Sequence, residues 1–322
     1  MLSKKNCMKV LTVATRGGEL AIAQTEIVTG ALKKIYPPFV RRIYPDIQFK
    51  IKKITTRGDR DRRTALWELK DSGFFTSQLE NALLAGEADF AVHSFKDLPT
   101  KQQNGLTIAA VCDRQFAEDC LIAANLIGSI EQLPPSAKVG TSSLRRVAQL
   151  KRLRSDLNVI PVRGNVQTRI KKLDNGDVDA IILARAGVER LGLGHRIAFC
   201  FDPTEFIPAP AQGALAVQIR SDDVTAQKIA AAIDDKKARV TCFAERQVLV
   251  TMQCGCHAPV GAFAKITGGD IEIYAFISDL QGRNFIKRQI VGPTKKSNKL
   301  AEQIANDLLK AGGREILQSQ NT

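Results

Sequence analysis

The sequence has few aromatic residues, few histidines and no long apolar run. Of its 322 residues, 44% are hydrophobic, only 6% are aromatic and three are histidine. No apolar stretch approaches the roughly 18 residues needed to cross a bilayer. The basic opening at Met1 leads into a strand-like segment that is too short for a signal peptide. We therefore expect a soluble, cytoplasmic protein without a membrane partner.

The sequence also lacks a cysteine framework. Its seven cysteines are an odd number scattered along a long chain. Without a secretory signal, such cysteines are typical of reduced thiols and not of disulfides.

The charge is strongly unbalanced. The net charge is +14, and residues 141–196 hold twelve Lys or Arg against five acids, while residues 41–63 hold nine against three. Nucleic acid is the usual partner of such a chain. The sequence has no zinc-finger spacing, no basic region leading into heptads and no aromatic-rich RNA-binding strand. A small polyanion is the partner that this pattern favours.

Short β-branched runs alternate with helical periods, which is typical of an α/β protein with largely parallel sheets. Helices are predicted at 21–35 and 77–84, the second opened by a capping box from Ser77 to Glu80. The predicted strands are 10–14, 49–55, 90–93, 107–111, 120–123, 159–162, 180–183 and 215–219.

Two proline-containing breaks, near 113–136 and 202–213, divide the chain. Beyond Arg239 the pattern changes to a helix, a Cys-Gly loop, a strand at 271–277 and a helix at 298–309 closed by Gly312. We predict three domains: residues 1–113 with 214–235, residues 114–213, and residues 236–322.

Basic and hydroxyl side chains follow three predicted strands of the middle domain. Residues 138–140 lead into Thr141, Ser143, Arg145 and Arg146, and the next two strands precede the stretches 163–169 and 185–190. Helix N-termini and arginine forks both bind carboxylates or phosphates. Three such junctions at one edge of a sheet would face one cleft. For the basic side chains at 151–154, a solvated helix face is the favoured alternative.

Two further sites carry possible chemistry. Asp97, beside Lys96 at a strand end, can stabilise a developing cation or transfer a proton, or form a plain surface ion pair.

The segment 253–261 contains Cys254, Cys256 and His257, which could ligate a metal with Cys242, although no second cysteine or histidine knuckle exists. The other interpretations of Cys256 are an inert buried thiol and a reactive thiolate.

The sequence resembles the porphobilinogen deaminase family, with six motifs in the family's order over nearly the whole chain. They are HSFKDLP at 93–99, GTSSLRR at 140–146, RGNVQTR at 163–169, LDNG at 173–176, RLGL at 190–193, and GC at 255–256 followed by PVG at 259–261. The resemblance implies an α/β fold of two periplasmic-binding-protein-like lobes with a cleft between them, plus a smaller α+β C-terminal domain.

The resemblance also implies an activity: head-to-tail condensation of four porphobilinogen molecules with loss of ammonia, and hydrolytic release of hydroxymethylbilane. Cys256 would carry a dipyrromethane cofactor through a thioether, and Asp97 would stabilise positive charge during each condensation. The implied cofactor contacts are Ser94, Lys96, Thr141, Ser143, Arg145, Arg146, Arg169 and Gly187. The implied substrate contacts are Arg16, Arg163, Arg190 and Gln212. No metal is implied, and we expect a monomer without a nucleic-acid partner.

Three positions depart from the family's pattern. Gly18 replaces a hydroxyl residue, Ser72 replaces a lysine in the loop after 56–59, and Cys254 stands where glycine is more common. Besides an active enzyme, the sequence leaves three alternatives open: a family member with impaired activity, a two-lobed solute-binding protein that does not use Cys256, and a nucleic-acid binder.

Overall fold

The computed structural model describes residues 9–35, 47–56, 76–125, 127–254 and 258–319. These residues form two compact units. The first comprises the described residues up to 113 together with 214–239, and the second comprises 114–213 together with those from 240 onward. The chain therefore leaves the first unit after Asp113 and returns to it at Ala214, near both predicted breaks. The division into three domains remains a prediction.

The first unit contains a five-stranded sheet of order β2-β1-β3-β10-β4. Its strands are β1 (Lys9–Arg16), β2 (Ile47–Ile54), β3 (Phe90–Ser94), β4 (Leu106–Cys112) and β10 (Leu215–Arg220). Its helices include α1 (Glu19–Ile35), α2 (Ser77–Leu84) and α6 (Val224–Ala230). Apolar residues of α1, α6 and the sheet form the core, with Val13, Phe90 and Val217 fully buried.

The second unit repeats this strand arrangement. Its sheet has the order β7-β6-β8-β5-β9. The strands are β5 (Asp119–Ala123), β6 (Lys138–Gly140), β7 (Asn158–Ile160), β8 (Ala180–Ala184) and β9 (Phe199–Cys200). Helices α3 (Leu144–Leu153), α4 (Val166–Asp174) and α5 (Arg185–Glu189) follow β6, β7 and β8 respectively.

The prediction of largely parallel sheets is confirmed for four of the five strands in each sheet, and one reversed strand makes each sheet mixed. β1 pairs in parallel with β2 and β3, but β10 runs antiparallel to β3 and β4. In the second sheet β6 pairs in parallel with β7 and β8, but β5 runs antiparallel to β8 and β9. β10 enters from a distant part of the chain, and β5 pairs with β8 and β9 and not with β6, the next strand along the chain. Strand-by-strand patterns reveal neither arrangement.

The C-terminal part of the second unit is an antiparallel meander covered by helices. It contains β11 (Val260–Thr267), β12 (Asp270–Ser278) and β13 (Phe285–Pro293), with α8 (Ser297–Leu308) and α9 (Arg314–Ser319). Gly312 has a φ of 112°, so the backbone leaves helical geometry between α8 and α9 as predicted. Helix α7 (Lys236–Met252) precedes the meander. No helix in the described ranges combines the length and apolar character needed to cross a membrane.

The capping box predicted at Ser77 is wrong in detail. Helix α2 begins at Ser77, so Thr76 is the N-cap residue, and its side chain makes no capping bond to the backbone. The Thr76 hydroxyl instead contacts the Glu80 carboxylate at 3.4 Å.

Candidate functional site

Several predicted site residues lie at one edge of the first unit's sheet. Because β1 and β3 are parallel neighbours, Arg16 and Ser94 end their strands at the same edge. Leu215, the first residue of β10, pairs with Ser94 there. This edge therefore carries Arg16, Ser94 and the turn that holds Lys96 and Asp97.

The turn after β3 presents Asp97 to solvent. Phe95 and Leu98 are fully buried, and the Phe95 amide donates to the Ala214 carbonyl at 3.0 Å. These two anchors direct Lys96 and Asp97 outward on a single 3₁₀ turn. The Asp97 carboxylate is exposed and makes no hydrogen bond or ion pair with any described residue. It is therefore available to a ligand, and the surface ion pair considered from the sequence does not form among the described residues.

Ser94 is held by Gln24, a residue that the sequence analysis did not single out. The Ser94 hydroxyl and the Gln24 side-chain amide lie 2.9 Å apart. Gln24 is buried on α1, so its amide fixes the position of the serine hydroxyl at the sheet edge.

A buried polar network lies behind the turn. His93 Nε2 lies 3.1 Å from Gln218 Oε1, and the Gln218 amide donates to Glu80 at 3.1 Å and to Gln102 at 3.0 Å. Burial lowers the pKa of His93 to about 4; the Gln218 hydrogen bond opposes this shift and the charge of Arg16 adds to it. His93 is therefore neutral at physiological pH and serves as a fixed support for the adjacent turn.

The second unit's sheet brings the three basic junctions to one edge, as the sequence predicted. β7 and β8 flank β6 and run parallel to it, so the segments after all three strands leave from the same side. Asp119 joins them, because it starts the antiparallel strand β5 opposite Ala184. This edge carries Thr141, Ser143, Arg145, Arg146, Arg163 and Arg185.

Arg145 and Arg146 are buried around one carboxylate. Their residues are 4% and 5% exposed, and one nitrogen of each guanidinium lies 2.7 Å from an oxygen of Asp119. Arg145 also donates to the Ile207 carbonyl at 2.7 Å, and Arg146 to the Ile182 carbonyl at 3.0 Å. Burial raises the pKa of Asp119, but the two arginine charges and the hydrogen bonds from Arg146 and Gln212 outweigh it and hold that pKa well below its usual range.

From the sequence, the guanidinium groups of Arg145 and Arg146 are both predicted to face a ligand, and Asp119 is not predicted as their partner. Both terminal nitrogens of Arg145 are occupied by Asp119 and Ile207, so only part of this pair's donor capacity is open to a ligand. Gln212 belongs to the same cluster, since its amide donates to Asp119 and to the Ala117 carbonyl, each at 2.8 Å. The signal that could have revealed Asp119 is an acid opening a strand that is otherwise apolar.

Two guanidinium nitrogens of this edge are buried without a hydrogen-bond partner among the described residues. They are Nε of Arg146 and Nη1 of Arg163. Buried donors are almost always satisfied in native proteins, and an unsatisfied one requires a reason such as an absent ligand. A carboxylated ligand would satisfy both, so the residues at this edge fit a polyanionic group.

The remaining predicted contact residues of the middle domain also lie within this unit. Arg169 donates through Nε to the Gly164 carbonyl at 2.9 Å, and Arg190 donates to the Gly213 carbonyl at 2.5 Å. The Ser143 amide contacts the Thr141 hydroxyl at 3.3 Å, and Gly187 is buried in α5. The solvated helix face expected at 151–154 is not what Lys151 and Arg154 form, since both are half-buried and donate to backbone carbonyls, Lys151 to that of Leu157 and Arg154 to that of Ile130.

Cys256, His257 and the loop containing Ser72 lie outside the described residues. Helix α7, which ends at Met252 shortly before Cys256, is fixed by Glu245: this carboxylate pairs with Arg114 at 2.6 Å and accepts from the Ala264 amide at 2.6 Å. Burial raises the pKa of Glu245, while Arg114 opposes that shift. Cys254 packs against the core of the C-terminal sheet. Within the described ranges, no three His, Cys, Asp or Glu side chains form a metal site.

The fold and these two sheet edges define an α/β protein that presents a carboxylate in one unit and a cluster of buried arginines in the other. The family model for the dipyromethane cofactor binding domain of porphobilinogen deaminase matches residues 11–228, and the model for the C-terminal domain of the same enzyme matches residues 239–310.

Curated relatives agree with these models over almost their full length. The porphobilinogen deaminase of Desulforudis audaxviator is 42% identical over 95% of this chain and 96% of that protein. The porphobilinogen deaminase of Thermus thermophilus is 41% identical over 96% of this chain and 99% of that protein. Among solved structures, a methionine binding protein is similar with a TM-score of 0.42 and 13% identity, covering 71% of this chain and 92% of that chain.

The chain belongs to the porphobilinogen deaminase (hydroxymethylbilane synthase) family. It is a transferase of tetrapyrrole biosynthesis with a dipyrromethane cofactor-binding domain, and porphobilinogen is the substrate that the family implies.

Proposed function

We propose that Asp97, the arginines at the edge of the second unit's sheet and Cys256 have three separate roles in the condensation of porphobilinogen. Asp97 acts on the reacting pyrrole, the arginines hold carboxylates, and Cys256 anchors the cofactor. Two of the buried guanidinium nitrogens that have no hydrogen-bond partner among the described residues, Nε of Arg146 and Nη1 of Arg163, are the observation that carries the proposal. They are donors at a site whose proposed ligand brings two carboxylates on every ring.

When bound, the dipyrromethane supplies the pyrrole carbon to which the first substrate unit is joined. Arg146 would satisfy its free Nε with a cofactor carboxylate, while its contact with Asp119 keeps the guanidinium in place. Thr141, Ser143, Arg145, Arg169, Gly187, Lys96 and Ser94 would complete the cofactor contacts. Arg16, Arg163, Arg190 and Gln212 would hold substrate carboxylates, since arginine forks pair well with such groups.

Asp97 is the proposed catalytic residue. Loss of ammonia from porphobilinogen leaves a cationic azafulvene, and a fixed carboxylate stabilises charge where it develops. The exposed Asp97 carboxylate, free of partners among the described residues and held on a turn anchored by Phe95 and Leu98, suits that role. Water releases the finished tetrapyrrole.

The Asp97→Asn variant tests this role. We expect its kcat to fall by roughly 10²-fold or more, the scale of losing one electrostatic stabiliser. Intact mass on the same sample shows whether the cofactor is loaded. Glu87→Gln, which removes an exposed carboxylate of the same unit, is the matched control and should keep wild-type turnover. Undiminished turnover of cofactor-loaded Asp97→Asn would refute the role.

The proposal includes a cytoplasmic monomer without a nucleic-acid or membrane partner. All five cysteines in the described part of the chain are free thiols, which supports a reducing compartment. The exposed large apolar side chains come from several different helices and strands, which supports a monomer. Asp119 already binds Arg145 and Arg146, which argues against a surface on which these arginines bind the phosphates of a nucleic acid.

A further inference from the structure

Two free cysteines lie opposite each other on the outermost pair of strands in the second unit's sheet. Cys120 is in β5 and Cys200 is in β9, the last strand of that sheet. The two residues are partners in the antiparallel register, and both are free thiols. Neither belongs to the proposed cofactor and substrate contacts, so the pair is a feature that the condensation does not use.

The pair has the backbone geometry that a disulfide requires. The Phe201 amide donates to the Asp119 carbonyl at 2.9 Å, so this ladder bond flanks Cys120 and Cys200 and does not join them. In such a non-hydrogen-bonded pair the Cα atoms are about 4.5 Å apart and the side chains leave the same face of the sheet. Disulfides form at Cα separations of about 4.4–6.8 Å. The two sulfur atoms can therefore be joined with little movement of the backbone.

The two thiols differ in exposure in the way that a stepwise exchange needs. Cys200 is exposed on the outermost strand, so a small reagent can reach it. Cys120 is fully buried, so the neighbouring Cys200 sulfur reaches it more readily than a reagent does. Arg185 donates a hydrogen bond to the Cys200 sulfur, and its charge favours the thiolate, which is the form that attacks a disulfide.

We propose that Cys120 and Cys200 form a reversible disulfide by exchange with a low-molecular-weight disulfide such as oxidised glutathione. The Cys200 thiolate attacks one sulfur of the reagent, which releases one reagent thiolate and leaves a mixed disulfide on Cys200. The Cys120 thiolate then attacks the Cys200 sulfur, which forms the bridge and releases the second reagent thiolate. Two electrons pass from the protein sulfurs to the reagent, and the two thiol protons end on the released thiolates.

The exchange should be slow at neutral pH. Burial raises the pKa of both thiols and outweighs the opposing arginine charges. The charged groups that face the thiols are Asp119 and Arg146 for Cys120, Glu118 and Glu189 for Cys200, and Arg185 for both. The short Cα separation strains the bridge, and strained bridges are readily reduced. A reducing compartment therefore keeps the pair as thiols, and oxidising conditions join them.

The bridge would fasten the segment that follows β9 to the strand that supports the arginines. This segment contains Ile207, whose carbonyl accepts from Arg145 at 2.7 Å. Strand β5 begins with Asp119, which binds both Arg145 and Arg146. Because a disulfide constrains the unfolded chain, the bridged protein should resist unfolding better than the reduced protein does.

Non-reducing peptide mapping tests the proposal on the full-length, cofactor-loaded protein. The folded protein is incubated with oxidised glutathione at about pH 8.5, near the ordinary pKa of a thiol, and the remaining thiols are then alkylated. Cys200→Ser removes the attacking thiol. Cys120→Ala removes the thiol that closes the bridge. Cys112→Ala is the matched control, because it removes a buried thiol from the other unit.

We expect one linked pair of peptides, containing Cys120 and Cys200, in the wild type and in Cys112→Ala. Cys120→Ala should retain glutathione on Cys200, and Cys200→Ser should contain neither a bridge nor an adduct on Cys120. The urea midpoint of unfolding should rise on oxidation and return to its first value after dithiothreitol. A wild type that ends with glutathione on Cys200 and no bridge, an unmodified Cys200, or a bridge to another cysteine would overturn the proposal. An unchanged urea midpoint in the bridged protein would overturn its stabilising role.

Discussion

Asp119 and Arg146 form a hydrogen-bonded ion pair of 2.7 Å in which the Asp119 side chain is fully buried and that of Arg146 is 7% exposed. Arg145 closes on the other oxygen of the same carboxylate at the same distance. One acid thus holds two adjacent arginines at the point where α3 begins.

Replacing Asp119 should destabilise the protein strongly. Asp119→Ala leaves two buried guanidinium groups without their counter-charge, and breaking a buried pair in this way costs about 3–5 kcal/mol. Urea unfolding measures the change in the free energy of unfolding. Glu118→Gln, next along the chain, removes a carboxylate whose side chain is 17% exposed and should cost much less. Equal losses in the two variants would contradict the role given to Asp119.

Arg163 should behave in the opposite way. Because its Nη1 is buried without a partner among the described residues, Arg163→Gln should change the free energy of unfolding little. The KM for porphobilinogen should rise about tenfold, since a charge-assisted hydrogen bond to a substrate carboxylate is lost.

Arg196→Gln is the control for this variant. Arg196 pairs with Asp174 away from the unsatisfied donors, and its replacement should leave KM unchanged. A wild-type KM in Arg163→Gln would remove Arg163 from the substrate site.

The strands and helices could be predicted from periodicity within a few residues, whereas side-chain partners could not. The predicted helix 298–309 is observed as Ser297–Leu308, and the strand 271–277 as Asp270–Ser278. Strands β9, β11 and β13 were missed. β13 is half exposed and carries Lys287, Arg288 and Gln289 in succession, so its apolar alternation is weak.

The candidate site shows the same limit. Parallel pairing of β6, β7 and β8 places the three basic junctions at one edge, and strand order alone could predict this. The pairing of Arg145 with Asp119 and Ile207 depends on contacts across 26 and 62 residues. No local sequence pattern indicates such contacts. The sequence therefore could not distinguish Arg145, whose two terminal nitrogens both have protein partners, from Arg163, whose Nη1 has none among the described residues.

His93 should make stability depend on pH. Its pKa in the folded protein is about 4, below the ordinary 6.5, so between these values the unfolded chain binds more protons. The contribution is fully present above pH 6.5 and is lost as the pH falls toward 4, amounting to about 3 kcal/mol.

His93→Gln should flatten this dependence, because the replacement cannot gain a proton. The measurement is the free energy of unfolding by urea at several values between pH 4 and 7. His195→Gln, at an exposed histidine, should keep the wild-type slope. An unchanged slope in His93→Gln would show that other groups cause the dependence.

The cofactor should be attached covalently to Cys256. The most direct test is the intact mass of the denatured protein with peptide mapping, because a thioether survives denaturation and ionic ligands do not. We predict a mass excess equal to two linked porphobilinogen-derived units on the peptide that contains Cys256, and no excess in Cys256→Ser. No excess after incubation with porphobilinogen, or an adduct on Cys254, would contradict the claim.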